Sequence, residues 1–94
     1  MLKINFLLQA TRILNVGNYD EDELEMIYKF IVTVDKTILN YYNESKTIFS
    51  YLSDLELYIE IVDELIKVYE EREKYENCAL LINKKQDAIN ILNK

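Results

Sequence analysis

The sequence contains no proline and only one glycine, Gly17. Proline and glycine are the residues that interrupt helices most strongly. The 77 residues that follow Gly17 therefore contain no strong helix breaker, and their apolar residues recur at helical spacing. These features predict an all-α fold, an antiparallel bundle of three or four helices in which one helix is long and coiled-coil-like.

Histidine is absent, and Cys78 is the only cysteine. Without histidine the chain has neither the most common general base nor the most common metal ligand. One glycine cannot form a glycine-rich phosphate loop, and one cysteine cannot form an intrachain disulfide or a cysteine pair for zinc. We therefore expect no enzymatic activity, no cofactor and no bound metal. Cys78 precedes three apolar residues and is expected to be buried.

The 94 residues carry 17 acidic and 11 basic side chains, a net charge of −6. Most of the negative charge lies between residues 18 and 76 and would repel nucleic acid and anionic membranes. The length fits a single helical domain over residues 1–94. The apolar N-terminal stretch is too short for a bilayer span and lacks signal-peptide features, so we expect a cytoplasmic protein. The many Ile, Asn, Lys and Tyr residues are typical of AT-rich coding sequences and suggest a phage or mobile element.

The first helix is predicted from about Leu2 to Val16. Gly17 follows it, where the left-handed residue of a helix C-terminus is expected. Apolar side chains cover most of the circumference of this helix. It should therefore lie centrally in the fold or insert into a partner chain. A chain of 94 residues has little material to cover it, and we expect a homodimer.

The second helix has the clearest N-terminal signal. Asp20 is a good N-cap, and Glu23, three residues later, completes a capping box. The acidic residues of the first turn lie at the positive end of the helix dipole. The apolar face of this helix is predicted to continue as far as Tyr41 or Tyr42, and a turn is expected between Asn40 and Ser45.

A long helix is predicted in the second half of the chain. Its apolar positions recur at alternating steps of four and three: Ile48, Leu52, Leu55, Ile59, Val62, Ile66 and Tyr69. Ser53 and Glu56 form a second capping-box pattern. Residues 46–52 therefore either form a short separate helix or continue directly into the long one, which should end near Tyr75.

The C-terminal segment leaves two alternatives open. Asn77 is a candidate N-cap for a last helix, whose inward side chains would be Cys78, Leu81, Ile82, Ile89 and Leu92. Alternatively, the chain continues without a break as one helix of more than 40 residues. Such a helix would favour a coiled-coil dimer.

The candidate binding residues lie on the long helix. Its far side carries carboxylates about one helical turn apart, which can imitate a phosphate backbone: Glu56, Glu60, Asp63, Glu64, Glu70 and Glu71. Two tyrosines stand seven residues apart at the edge of the apolar stripe, and tyrosine is common at protein interfaces. We select six residues as partner-binding candidates: Glu56, Glu60, Asp63, Glu64, Tyr51 and Tyr58.

These features predict a small non-catalytic intracellular protein that binds a host or cognate protein, as an adaptor, an inhibitor or an immunity- or antitoxin-like binder. One alternative is a phage-type inhibitor that presents an acidic surface to a nucleic-acid-binding enzyme. A second alternative follows from the pairs Glu60/Asp63 and Asp22/Glu25. They resemble the paired carboxylate motifs of all-α nucleotide pyrophosphatases, and this resemblance implies a Mg²⁺-dependent nucleotide hydrolase.

Overall fold

The computed structural model of the protein describes residues 2–44 and 53–94, with side chains from Phe6 onward. These residues form five helices, which follow one another along the chain as α1 Leu2–Val16, α2 Glu21–Thr33, α3 Lys36–Glu44, α4 Asp54–Glu71 and α5 Tyr75–Leu92. The described ranges contain no strand. The all-α class is confirmed, and the predicted count of three or four helices is too low.

Helix α1 has the predicted bounds. Its C-terminus is closed by Gly17, which has a φ of +75° and donates its N–H to the carbonyl oxygen of Ile13 at 3.1 Å. This left-handed residue with a single backbone bond is an αL helix stop. Helix α1 packs mainly on α4. Its buried side chains are Leu7, Ala10 and Leu14.

The predicted start of α2 is confirmed. The Oδ1 atom of Asp20 accepts the N–H of Glu23 at 2.8 Å, and the Oε1 atom of Glu23 accepts the N–H of Asp20 at 3.2 Å. The predicted continuation of this helix to Tyr41 or Tyr42 is wrong, because α2 ends at Thr33. The Oδ1 atom of Asp35 accepts the N–H of Ile38 at 3.0 Å and so caps a new helix, α3.

At the break between α2 and α3, side chains from α4 and α5 donate hydrogen bonds to backbone carbonyl groups. The hydroxyl of Tyr58 in α4 donates to the carbonyl oxygen of Ile31 at 2.9 Å. The Nζ atom of Lys84 in α5 donates to the carbonyl oxygen of Val34 at 2.9 Å. The Lys84 cation is also favourable at the negative end of the helix dipole. The C-terminus of α2 is therefore closed by side chains that come from 27 and 50 residues further along the chain.

Helix α4 lies at the centre of the fold and packs against the other four helices. Its predicted start is confirmed: the Oγ atom of Ser53 accepts the N–H of Glu56 at 3.1 Å, and Glu56 accepts the N–H of Ser53 at 3.0 Å. Residues 46–52, where a short separate helix was one alternative, lie outside the described residues, as do Ile48 and Leu52 of the predicted stripe.

The buried face of α4 is rotated relative to the predicted stripe. Leu55, Val62 and Tyr69 are buried as expected, whereas Ile59 and Ile66 are only half-buried. The centre of the face is occupied by residues outside the stripe: Tyr58, Ile61 and Leu65. The predicted stripe therefore contains three core residues of α4 and two residues, Ile59 and Ile66, at the edge of its buried face.

A tight turn separates α4 from α5, so the single helix of more than 40 residues is wrong. Glu73 has a φ of +59°. Its N–H bonds to the carbonyl oxygen of Glu70 at 3.0 Å, and the N–H of Lys74 bonds to that of Tyr69 at 2.9 Å. This pair of bonds is a Schellman motif with glutamate at the position that usually holds glycine.

Helix α5 begins at Tyr75 after Lys74, so the predicted N-cap at Asn77 is also wrong. Cys78 and Leu81 are buried as expected. Burial raises the pKa of the Cys78 thiol, and its Sγ atom lies 3.8 Å from the carbonyl oxygen of Ile66. Ile82, in contrast, is exposed rather than inward-facing, and Leu92 is also exposed.

Gly17 and Glu73 both have a positive φ, so substitutions at these two positions test backbone strain in opposite directions. We expect Glu73→Gly to raise the free energy of unfolding by about 0.5–1 kcal/mol, because glycine adopts positive φ without the clash of a Cβ atom but costs some chain entropy. Gly17→Ala should lower it by about 1 kcal/mol. A Cβ atom at Gly17 meets nothing within 4 Å, so this loss is conformational.

Urea denaturation of both variants checks this expectation. Glu73→Ala is the control, because it removes the carboxylate and keeps the Cβ atom. If Glu73→Ala stabilises the protein as much as Glu73→Gly, charge rather than backbone strain is responsible.

Candidate interaction surface

The outer face of α4 carries six carboxylates, which we call the acidic ridge. Their side chains are exposed or half-buried and recur at helical spacing on one side of the helix. The members are Glu56, Glu60, Asp63, Glu64, Glu70 and Glu71. The capping box at Ser53 sets the start of α4, and burial of the apolar face leaves this side of the helix directed away from the core. The four predicted glutamate and aspartate candidates therefore lie on one surface.

Three of these four candidates have partners within the chain. Glu56 accepts the backbone N–H of Ser53. The Oδ1 atom of Asp63 lies 2.7 Å from the Nζ atom of Lys85, and the Oε1 atom of Glu64 lies 3.4 Å from that of Lys67. Within the described ranges Glu60 makes no ion pair or hydrogen bond. The ridge therefore keeps a negative excess, with six carboxylates against two ammonium groups.

Tyr58 does not lie at an interface, so its selection as a partner-binding residue is corrected. It is fully buried, with 0% of its surface exposed. Its ring centre lies 6.2 Å from that of Tyr42. Burial, with a smaller effect of neighbouring Tyr42 and Asp87, raises the pKa of Tyr58. The rotated core face of α4 explains the error. Tyr51 lies outside the described residues.

Two grooves flank the acidic ridge. On one side Thr11, Leu14 and Asn15 of α1 face Glu60 and Glu64 across a cavity of about 210 Å³. On the other side a wider groove of about 630 Å³ separates α4 from α5. We call it the isoleucine groove, because Ile66 of α4 and Ile82 and Ile89 of α5 line it. Its other lining residues are Asp63, Lys67, Lys85 and Gln86.

The isoleucine groove continues into an exposed apolar row on α5. Ile82 is 52% exposed and Tyr75 is 65% exposed. Tyr75, Ile82 and Ile89 stand seven residues apart, so they lie on one side of the helix. Sequence reasoning missed this row because it placed Ile82 and Ile89 in the core. The seven-residue spacing of these side chains is visible in the sequence. Periodicity alone, however, does not show which of two apolar faces of a helix is buried and which is exposed.

The structure does not bring the two paired-carboxylate motifs together as a metal site. Asp22 and Glu25 lie on α2, whereas Glu60 and Asp63 lie on α4. In residues 2–44 and 53–94, no three His, Cys, Asp or Glu side chains are placed to hold a metal ion. The nearest partner of Asp63 is the Lys85 ammonium instead.

A buried polar pair lies where α3 meets the start of α4. Asp54, the first residue of α4, is 0% exposed, and the hydroxyl of Tyr42 is also buried. Within the described part of the chain, neither carboxylate oxygen of Asp54 nor the Tyr42 hydroxyl has a hydrogen-bond partner. Burial raises the pKa of Asp54. Burial and, to a smaller extent, the Asp54 charge raise the pKa of Tyr42 to about 12. Nothing in the sequence marked this pair.

The fold and the surface define the chain as an all-α protein with an acidic helical ridge between two grooves. None of the described helices has both the length and the apolar character needed to cross a bilayer. Comparison with protein-family models, with curated proteins and with solved structures gave no match in any of the three searches. Any functional inference therefore depends on the surface itself.

Proposed function

We propose that this chain is a small non-catalytic protein that binds another protein through the acidic ridge and the groove beside it. The observation that supports the proposal is the excess of carboxylates on the outer face of α4, a face that is flanked by a groove with the exposed Ile82 in its lining. Exposed apolar side chains grouped beside a polar rim are typical of binding surfaces. An adaptor, an inhibitor or an immunity- or antitoxin-like protein of a phage or mobile element would act in this way in the cytoplasm.

The alternative is an inhibitor that presents the acidic ridge to a nucleic-acid-binding enzyme. The ridge supports it because glutamates about one turn apart on a rigid helix can follow a surface that normally contacts phosphates. Lys67 and Lys85 lie beside the ridge and pair with two of its carboxylates, which reduces the likeness to a uniform phosphate backbone. We therefore favour a partner that uses both charge and apolar contact. A homodimer remains a prediction.

Charge reversal on the ridge tests this proposal. Glu60→Lys combined with Glu64→Lys should reduce capture of the cellular partner by about tenfold or more and leave the melting temperature nearly unchanged, because exposed substitutions usually cost within about 0.5 kcal/mol. Binding by the unaltered protein should weaken as salt rises, since exposed charges are screened over about 8 Å at physiological ionic strength. The measurement is quantitative affinity capture from cells of the encoding organism at two salt concentrations.

A matched control is Glu25→Lys combined with Glu44→Lys, which changes net charge equally on α2 and α3. Glu25 pairs with Lys29 as Glu64 pairs with Lys67, so the two double variants lose a similar local ion pair. A partner that both double variants lose equally would indicate a response to net charge, not to the ridge. Full, salt-insensitive capture by the Glu60/Glu64 variant would contradict a role for the ridge.

A further inference from the structure

Helix α3 is the shortest of the five helices, with nine residues. It packs on α4 and α5, and its buried side chains are Leu39 and Tyr42. The side chain of Asn40 bonds within the helix, where its Nδ2 atom donates to the carbonyl oxygen of Lys36 at 2.9 Å. A helix of this length is marginal in isolation, so the packing of its two buried side chains must hold it in place.

Helices α2, α4 and α5 are joined to one another by polar contacts as well as by packing. The hydroxyl of Tyr58 in α4 and the ammonium group of Lys84 in α5 donate to carbonyl groups at the end of α2. Asp63 of α4 and Lys85 of α5 form an ion pair at 2.7 Å. None of these three contacts involves α3, so its displacement leaves all three in place.

The contact between α3 and the start of α4 contains unpaired polar groups. Asp54 is 0% exposed, and neither of its carboxylate oxygens has a hydrogen-bond partner among the residues that the structure describes. The same holds for the buried hydroxyl of Tyr42. Burial of a charged or polar group without a partner costs free energy, and water satisfies both groups once α3 moves away. The closed position of α3 therefore carries a penalty that opening relieves.

The surroundings of Asp54 do not compensate its charge. Its titratable neighbours are themselves acids: Tyr42 and Tyr41 on α3, Tyr58 on α4 and Asp87 on α5. Helix α2 presents a backbone carbonyl to Tyr58, and α1 approaches α4 further along with uncharged side chains. Burial raises the pKa of Asp54, and no cation of the described residues lowers it.

We propose that α3 is a lid on α4 and α5, that it opens as a unit while the other four helices stay packed, and that ionisation of Asp54 favours the open state. Opening hydrates the Asp54 carboxylate and the Tyr42 hydroxyl. It also uncovers the ring of Tyr58, whose centre lies 6.2 Å from that of Tyr42. The surface of α4 and α5 beneath α3 thus becomes accessible more often at neutral than at acidic pH, independently of binding at the acidic ridge.

Native-state hydrogen exchange of the full chain, followed by NMR at several low urea concentrations, tests the lid. The amide of Leu39, which bonds to the carbonyl oxygen of Asp35 at 2.9 Å, reports on α3. The amides of the buried Leu65 and Leu81 report on α4 and α5. The Leu39 amide should exchange at least about tenfold faster and depend less on urea, because a local opening exposes less surface than global unfolding. Equal rates and equal urea dependence at all three amides overturn the lid.

Asp54→Asn tests the role of the charge. At about pH 7 it should slow exchange of the Leu39 amide by about tenfold or more, because the closed state no longer buries an ionised group. The closed state binds the proton of Asp54 more tightly than the open state, so acid favours closure. The ratio of parent to variant rates, in which the intrinsic exchange chemistry cancels, should therefore approach one as pH falls to about 4.

Two further variants complete the test. Asp22→Asn removes an exposed carboxylate from α2 and should change the Leu39 exchange rate less than about twofold. Equal slowing by Asp22→Asn and Asp54→Asn, or no slowing by Asp54→Asn, overturns the role of Asp54. Tyr42→Phe keeps the ring, removes the unpaired hydroxyl and should slow exchange at Leu39 at both pH values. Faster exchange in Tyr42→Phe would show that the hydroxyl stabilises the closed state and would overturn the unpaired contact as the cause of opening.

Discussion

Tyr58→Ala is expected to lower the free energy of unfolding by about 3–5 kcal/mol, the usual cost of deleting a buried aromatic side chain. The ring is fully buried next to Tyr42 and holds the carbonyl of Ile31 through its hydroxyl. The alanine variant loses the packed volume and the donor together. The loss is a large fraction of the total stability of a small domain, so partial unfolding at room temperature is expected.

The contributions of the ring and of the hydroxyl of Tyr58 to stability can be measured separately. Tyr58→Phe keeps the packing and removes the donor to Ile31, and we expect a loss of about 1–2 kcal/mol. Tyr75→Ala is the control for removal of a tyrosine ring, because Tyr75 is exposed; it should change stability within about 0.5 kcal/mol. Urea denaturation followed by circular dichroism measures all three. A Tyr58→Ala protein that unfolds cooperatively within about 1 kcal/mol of the parent would contradict the buried position of this ring.

Asp54→Asn is expected to raise the free energy of unfolding near neutral pH by about 1–3 kcal/mol, because it replaces a buried, unpaired charge by a neutral amide, and an unpaired buried charge costs more than an unpaired neutral polar group. Above its folded-state pKa the carboxylate is charged, fully buried and without a hydrogen bond from the described residues. The asparagine variant removes the charge at nearly constant volume. The variant also loses a favourable interaction of about 0.3–1 kcal/mol between the carboxylate and the N-terminus of α4.

The effect of Asp54 should depend on pH with a defined sign. Burial raises the folded-state pKa of Asp54 above its unfolded value, which is near 3.9 in a model peptide. The folded protein therefore binds more protons than the unfolded chain between the two values, and the destabilisation is complete only above the folded-state pKa. As pH falls through the folded-state pKa, the gain of Asp54→Asn should shrink, and it should vanish near the unfolded pKa.

Urea unfolding of the parent and the variant at about pH 7 and about pH 4 measures this dependence. Asp22→Asn is the control, because Asp22 is exposed at the start of α2. It should be neutral or slightly destabilising, and should not gain stability at neutral pH. An Asp54→Asn protein that is less stable than the parent at neutral pH would mean that the carboxylate has a favourable partner when charged.

The elements that could be predicted from the sequence are those fixed by local bonds. The two capping boxes join residues three positions apart, and Gly17 supplies a conformation that other residues resist. The starts of α2 and α4 and the end of α1 are therefore visible in the residue types themselves. The break at Asp35 is also local, but the apolar period continues across it, so the pattern does not reveal it.

The errors concern choices that depend on distant residues. Leu65 and Ile66 are neighbours of similar character, and only the positions of α1, α3 and α5 decide that Leu65 is buried and Ile66 lines a groove. Tyr58 is a core residue because the buried face of α4 is rotated towards it, and its hydroxyl is satisfied by the carbonyl of Ile31 in α2. Of the selected surface residues, the carboxylates follow from helix periodicity once α4 is in place, whereas the isoleucine groove needs the α4–α5 pairing, which no local pattern specifies.

The closure of α2 by Tyr58 and Lys84 bears on how the chain unfolds. Both donors belong to helices that follow α2 by dozens of residues. Until α4 and α5 are packed against α2, the carbonyl of Ile31 keeps only the 3.4 Å bond from the N–H of Val34, and the carbonyl of Val34 lacks its lysine donor. Loss of α4 removes the Tyr58 donor from the carbonyl of Ile31, and loss of α5 removes the Lys84 donor from the carbonyl of Val34. The stability of the first half of the chain is thus coupled to that of the second. We expect a single cooperative transition, with the backbone amides of α2 and α5 exchanging with solvent through the same global opening.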